Sequence, residues 1–221
     1  MTASGQIQTV SVGGLTTGQT MRMLEVAANY YREPESGLSD ELRCGNLVYF
    51  IDADDGSLGC FLIVDFDHHR TTLEQREFRF TYLGLGCAKS SSIVPVFQKV
   101  KSDFAGQLAK GTVGVLHLTT RTPFAYHGIE RAFERDIFPT DREHEPPDAV
   151  RIVEYIRETI RRQPPVIDDD SPFLLHQEKP GPFNPREIAR IATFRGESPI
   201  AKMGVRCDGR DEVIVFHTFV A

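Results

Sequence analysis

The side chains able to move protons gather in the middle of the chain. Glu77 is a carboxylate at the start of a β-rich run, His117 an imidazole inside "GVLHLTT", and Tyr126 and His127 a phenol and an imidazole opening the next helical stretch. Such groups serve as general bases and acids when held against a reacting atom. Each also has a plainer reading. His117 on an apolar strand is a satisfied core histidine, and Glu77 is an exposed strand-end glutamate. Lys89, Ser90, Ser91 and Ser92 form a polar cluster before a helix. The serines can cap that helix or meet an anion there, with Lys89 beside them.

"DFDHHR" brings Asp65, Asp67, His68 and His69 together. On a regular strand Asp65, Asp67 and His69 would share a face, and carboxylate with imidazole can ligate a divalent metal. A polar strand end facing water explains the same residues, and no second cluster completes a site, so no metal is expected. Asp168, Asp169 and Asp170 read as a solvated loop.

These residues must be positioned by elements legible from patterning. A first strand falls near Gln6 to Val12. "TTGQTMRMLEVAANYYRE" reads as a helix capped by Thr17 or Thr20 and stopped by Pro34 and Gly37. "SDELRCG" is a short second helix. Asp54-Asp55-Gly56 between two β-rich runs marks a hairpin. After a polar connection, "REFRFTYLGLGCA" alternates and then turns uniformly apolar, so its second half is buried. Ile93, Phe97, Val100, Phe104 and Leu108 form one helical stripe that Gly111 ends. Further helices follow at "TPFAYHGIERAFERDIF", "PPDAVRIVEYIRETIRRQPP" and "NPREIARI", and "DEVIVFHTFV" is a closing strand. "RRQPPVIDDDSP" resembles a linker, dividing a main body (1–163) from a C-terminal extension (164–221) whose closing strand packs on the same domain.

Composition bounds the function. The 221 residues are 40% hydrophobic and 25% charged, enough for a real core in a soluble chain. A net charge of -6 argues against a general nucleic-acid binder. Cys44, Cys60, Cys87 and Cys207 include no Cys-x-x-Cys pair and read as reduced thiols. The N-terminal stretch has neither a basic nor an apolar segment of a signal peptide, and no run reaches the roughly 20 apolar residues of a membrane span. A cytoplasmic protein is expected, with no membrane partner and no stated oligomeric state.

The order strand, two helices, three antiparallel strands, helix, strand, helix resembles the GNAT acetyltransferase superfamily. So do Tyr82 to Ala88 followed by a helix. "GVLHLTTRTPFAYHGIERAF" is similar to that family's next strand and helix, with Thr122-Pro123 in place of an Asn-Pro pair and Ala132-Phe133 in place of Gly-Phe. The likeness runs roughly from Gln6 to Phe138, with the closing strand at Asp211 to Val220. It implies an α+β fold: a mixed, mostly antiparallel sheet flanked by helices, with splayed central strands.

The resemblance also implies acyl transfer from a thioester to a small-molecule amine. Backbone at Leu85, Gly86, Cys87 and Ala88 would meet the donor's pantetheine, and Lys89, Ser90, Ser91 and Ser92 its phosphate. His117, Tyr126, His127 and Glu77 become candidate proton carriers, although the family's tyrosine position falls nearer Gly128 or Ile129. Cys87 would lie near the thioester, or is a buried structural thiol.

The usual loop glycines would fall near Val94 and Val96, with Pro95 between them lacking an N–H. A coenzyme A pyrophosphate cradle is therefore not expected. The donor is acyl-CoA or, better suited, an acyl-phosphopantetheine on a carrier protein, whose acidic surface Lys89, Lys99 and Lys101 could meet. Two other readings stand beside it: a non-catalytic binding protein on the same body, and a hydrolase or lyase reusing the cleft.

Overall fold

β1 (Gln8–Ser11), β2 (Leu47–Asp52), β3 (Leu58–Leu73) and β4 (Arg76–Ala88) form a succession of antiparallel neighbours. The structure is a computed structural model. It describes residues 6–89, 92–134, 136–140, 145–162, 171–177, 181–195 and 198–221, with Asp67 by its backbone alone. Gly56, at φ 76°, makes the β2–β3 turn as its sequence context predicts. β3 then runs further than expected. The polar connection before β4 is the rest of β3 and a turn at Glu74 (φ 48°) and Gln75 (φ 65°). Two left-handed residues match the twist of the flanking strands, but neither residue type announces them.

β5 (Val113–Thr120) lies parallel to β4, and β7 (Asp211–Val220) is antiparallel to β5. β6 (Leu174–His176) pairs with the far edge of β7, giving the order β1-β2-β3-β4-β5-β7-β6. Among the described residues only the β4–β5 pairing is parallel. The closing strand therefore lies inside the sheet of the main body.

α1 (Thr17–Ala27) starts at a capping box formed by Thr16 and Gln19, one residue before the expected cap. It ends at Ala27, short of Tyr30 and Tyr31. Pro34 does not stop it; Pro34 opens α2 (Pro34–Cys44), where a missing N–H costs nothing, and Gly37 lies within α2. α1 and α2 bury Met23, Val26 and Leu38 against Val48, Phe50, Phe61 and Ile63.

On the opposite face lie α3 (Val94–Ala105) and α4 (Pro123–Ala132), with Val96, Phe97, Val100, Phe104 and Ile129 in the core. α5 (Pro147–Tyr155) continues into a π-helical turn, Ile156–Ile160, and its Tyr155 stacks on Phe80 at 5.3 Å. Side chains alternate along β4, so Arg79, which donates to Gln107 O after α3, faces away from Phe80.

α6 (Pro185–Ala192), capped by Asn184, and the short α7 (Pro199–Lys202) precede β7. The segment before α6 is tied to the α1–α2 connection. Arg32 N–H donates to Pro182 O (2.9 Å), Asn184 N–H donates to Tyr30 O (2.8 Å), and Tyr31 bridges Phe183. The Asp168 to Asp170 loop lies outside the described residues.

The β4–β5 pairing runs from Phe78–Val113 to Tyr82–His117 and stops there. β4 continues with β3 to Ala88 while β5 goes on to Thr120. Between the pairs Val64–Leu83 and Leu62–Gly86, β4 advances three residues against two on β3. That extra residue is a β-bulge, which bends β4 just past the point where its pairing with β5 ends. The expected splayed pair is present.

Candidate active site in the cleft between β4 and β5

A cavity of about 400 Å³ opens where the two strands part. β4 supplies Tyr82 and Gly84 to Ala88, and β5 with its following turn supplies Leu118 to Thr122. Ile93, Phe97, Phe124 and Ala125 line it from the α3–α4 face. Tyr30, Tyr31 and Glu41 line it from the α1–α2 face, and Pro182, Phe183, Glu187, Arg190 and Glu212 complete the wall. The cavity is thus reached from both faces of the sheet.

Glu41 of α2 is the carboxylate at the bulge. Its Oε2 accepts the Leu85 N–H at 3.2 Å and its Oε1 accepts the Tyr82 O–H at 3.4 Å. Gly84 makes this approach possible, because a Cβ there would stand 2.2 Å from Glu41 Oε2. Burial pushes the Glu41 carboxyl above its ordinary range, while the Leu85 N–H, the Arg161 charge and the Tyr82 hydroxyl pull against that shift. The Tyr82 phenol is raised by burial and then by the Glu41 charge. Arg161 lies 5.0 Å over the Tyr82 ring and donates to Thr119 Oγ1 at 2.8 Å.

The other charges of the wall are paired. Arg121 Nε donates to Glu212 Oε1 (3.1 Å) and its Nη1 to Gly209 O (2.7 Å). Arg190 Nε donates to Glu187 Oε2 (2.7 Å), and its guanidinium lies 3.9 Å from the centre of the Phe124 ring.

The structure does not bring together the four proton carriers singled out by sequence, and none of them lines the cavity. His117 closes the paired part of β4–β5 at 0% exposure, with His68 and Tyr82 rings 5.5 Å away. Neither of its ring nitrogens has a hydrogen-bond partner among the described residues. Burial holds its pKa well below the usual value, so the ring is neutral. It is a core histidine, but not a satisfied one.

Tyr126 spends its hydroxyl on Pro139 O at 2.8 Å. His127 pairs Nδ1 with Glu130 Oε2 at 2.7 Å and stacks on Phe194. Glu77 lies at the opposite end of β4, where it accepts from Thr112 Oγ1 at 3.5 Å.

Leu85, Gly86, Cys87 and Ala88 do line the cavity. Lys89 lies beyond it, with its N–H on Gly59 O. Ser92 Oγ accepts the Val94 N–H at 3.3 Å; Ser90 and Ser91 lie outside the described residues. Pro95 has no N–H, and the Val96 N–H donates to Ile93 O at 3.0 Å. The first turn of α3 therefore offers no free amide to a pyrophosphate.

Burial raises the Cys87 thiol far above the thiolate range and the Cys60 thiol to about 12, so neither is an activated nucleophile. Lys99 is paired with Asp103, and Lys101 lies 5.5 Å over both Phe133 and Phe219, so these lysines do not form a free basic patch.

In β3 the register slips between Asp65 and His69, which separates the expected common face. Asp65 instead pairs with His68 (2.7 Å), and His69 packs against Phe80 and Tyr155. Among the described residues no three metal-ligating side chains converge, and no helix is long and apolar enough to cross a membrane.

Sequence reasoning passed over Glu41, Tyr31, Arg121, Glu187, Arg190 and Glu212, which reach the cleft from five separate segments. The available signal was Gly84 and Gly86 inside a strand, since interior strand glycines mark bulges and close approaches.

The topology defines an α+β fold: a mostly antiparallel sheet between helices, split at the parallel β4–β5 pair. Three solved structures show a distant likeness. One is a conserved protein of unknown function from Enterococcus faecalis V583, described as a probable N-acyltransferase. It has a TM-score of 0.40 and 12% identity over 60% of this chain, and the match spans 32% of its own length. The tetramutant of a Bacillus halodurans protein matches at 0.43 and 11%, over 64% of this chain and 99% of that one. A histone acetyltransferase HPA2 and related acetyltransferase from Corynebacterium glutamicum ATCC 13032 matches at 0.33 and 13%, over 64% and 90%. No family model and no curated protein matches the chain. Likeness at this level carries nothing about activity.

Proposed function

We propose that the protein is an acyltransferase that moves an acyl group from a thioester donor to an amine. The observation that carries this reading is the Glu41 carboxylate lining the cavity at the β4–β5 split, hydrogen-bonded to Leu85 N–H and with its pKa raised by burial. A carboxylate so placed is a suitable base. An amine arrives protonated and must lose a proton before its nitrogen attacks the thioester carbonyl. Glu41 takes that proton and passes it to solvent. The nitrogen's second proton leaves as the carbon–sulfur bond breaks, and the departing thiolate is protonated. A donor arm threaded between α3 and α4 would pass Ile93, Phe97 and Phe124, which shield a thioester from water.

The filled first turn of α3 supports a donor whose arm is phosphopantetheine on a carrier protein rather than free acyl-CoA. A second reading has its own observation. The Leu85 N–H at the bulge is already held by Glu41, which favours a binding protein without turnover. Incubation with carrier-protein and CoA thioesters and a panel of amines, with free thiol as the readout, separates the two. Thiol release that depends on the amine supports acyl transfer. Its absence with every donor supports the binding protein.

A further inference from the structure

We infer that the acceptor is an organic ammonium ion with an apolar body and no acidic group. The inference rests on the acyl-transfer reading for the word acceptor, but the site it describes is defined by charge and wall chemistry alone. Three carboxylates line the cavity: Glu41, Glu187 and Glu212. Arg190 neutralises Glu187, and Arg121 neutralises Glu212, which also accepts from Gln177 at 2.9 Å. Glu41 has no cation within ion-pair distance among the described residues; its partners are the neutral Leu85 N–H and Tyr82 O–H. The guanidinium of Arg161, whose charge acts on Glu41, lies over the Tyr82 ring and donates to Thr119. A partly buried carboxylate that is hydrogen-bonded only by neutral donors, and that feels the Arg161 charge without forming an ion pair with it, is further stabilised by an incoming cation.

The walls beside Glu41 are aromatic. Tyr31 stacks on Phe183 with ring centres 5.4 Å apart, and Tyr30 is tilted against Tyr31 at 6.5 Å. The Glu41 charge is felt at Tyr31, where it adds to the rise that burial gives the phenol. Aromatic faces attract ammonium groups and cover apolar carbon.

Among the described residues, the guanidiniums that line the cavity, Arg121 and Arg190, are each already paired with a carboxylate of the wall, so an acceptor's carboxylate or phosphate finds no uncompensated cation there. Arg121 is 5% exposed and holds Glu212 and Gly209 O. Arg190 holds Glu187 and lies on Phe124. An amino acid acceptor would place an unpaired carboxylate among three others, which desolvation and repulsion both oppose.

The test is calorimetric and needs no donor. A panel of alkylamines and arylalkylamines is titrated into the protein, each beside the amino acid that differs from it by one α-carboxylate. The amines should bind at least about tenfold more tightly than their carboxylated partners. Glu41→Gln, checked by thermal melting, should lose at least about tenfold of amine affinity. Equal or tighter binding of the amino acids overturns the inference, as does an amine affinity indifferent to Glu41→Gln, or no binding by any amine. Discriminating binding without acyl transfer from any thioester would leave the ammonium site standing and remove the acyltransferase reading. Turnover that prefers amino acid acceptors would do the reverse.

Discussion

The Glu41 carboxylate accepts the Leu85 N–H at 3.2 Å, so a helix on one face of the sheet reaches the backbone at the β4 bulge, just past the last β4–β5 pair. Gly84 leaves the room for that contact. In Gly84→Ala the new Cβ would collide with the end of a flexible side chain, not with backbone. The carboxylate should move while the fold holds. The expected result is a loss of stability of about 1 kcal/mol, the worth of the displaced Glu41–Leu85 hydrogen bond, and a loss of acyl transfer approaching that of a removed base, about 10²–10⁴-fold. Measuring both on the same variant checks it.

Glu41 also makes stability depend on pH. Its folded pKa is raised, so the folded state holds this proton more tightly than the unfolded chain. Its contribution is therefore greatest below the unfolded carboxyl range and is lost as pH rises through the folded value. Glu41→Gln keeps an acceptor for Leu85 N–H and cannot ionise. Its melting temperature should exceed that of the parent at neutral pH, and the gap should close in acid. A gap that widened in acid would contradict the burial of Glu41.

His117 has the opposite sign. Its folded pKa is lowered by burial, then by His68 and Arg161, so protons bind the unfolded chain better. Stability from its neutral form is present above the unfolded histidine pKa and is lost as pH falls below about 6.5. Asp65, His68, His69, Tyr82, Tyr155 and Arg161 surround this region. His117→Phe removes two unpartnered buried nitrogens. Urea melts should show a variant at least as stable as the parent at pH 7 and less weakened at pH 5.

Free coenzyme A should bind no more tightly than phosphopantetheine. The N–H of Val94 is held by Ser92, that of Val96 by Ile93 O, and Pro95 has none. Calorimetry with the two ligands is the check. A gain of tenfold or more from the pyrophosphate and 3′-phosphate would mean that anions find a cradle elsewhere.

Local pattern carried the sheet and most helices. β4 matched residue for residue, because alternation and then a continuous apolar run mark a strand that becomes buried. The β4–β5 split was legible where Lys89 ends the apolar run. The α1 boundary was not, since Pro34 reads equally as a stop and as a first helical residue. The candidate site was legible only in its backbone half. Glu41, Glu187 and Glu212 look like surface carboxylates along the chain and become a site only through tertiary contact. Tyr126 looked chemical by type, yet packing assigns its hydroxyl to Pro139 O.

The central claim is that Glu41 handles the acceptor's proton during acyl transfer. It is tested most directly by the pH profile of kcat/KM for the parent and for Glu41→Gln, with the best thioester and amine found. The parent should lose activity as pH falls through a pKa above the ordinary carboxyl value, and Glu41→Gln should be about 10²–10⁴-fold slower, with that limb of the profile gone. A folded Glu41→Gln protein with full activity and an unchanged acid limb would contradict the account.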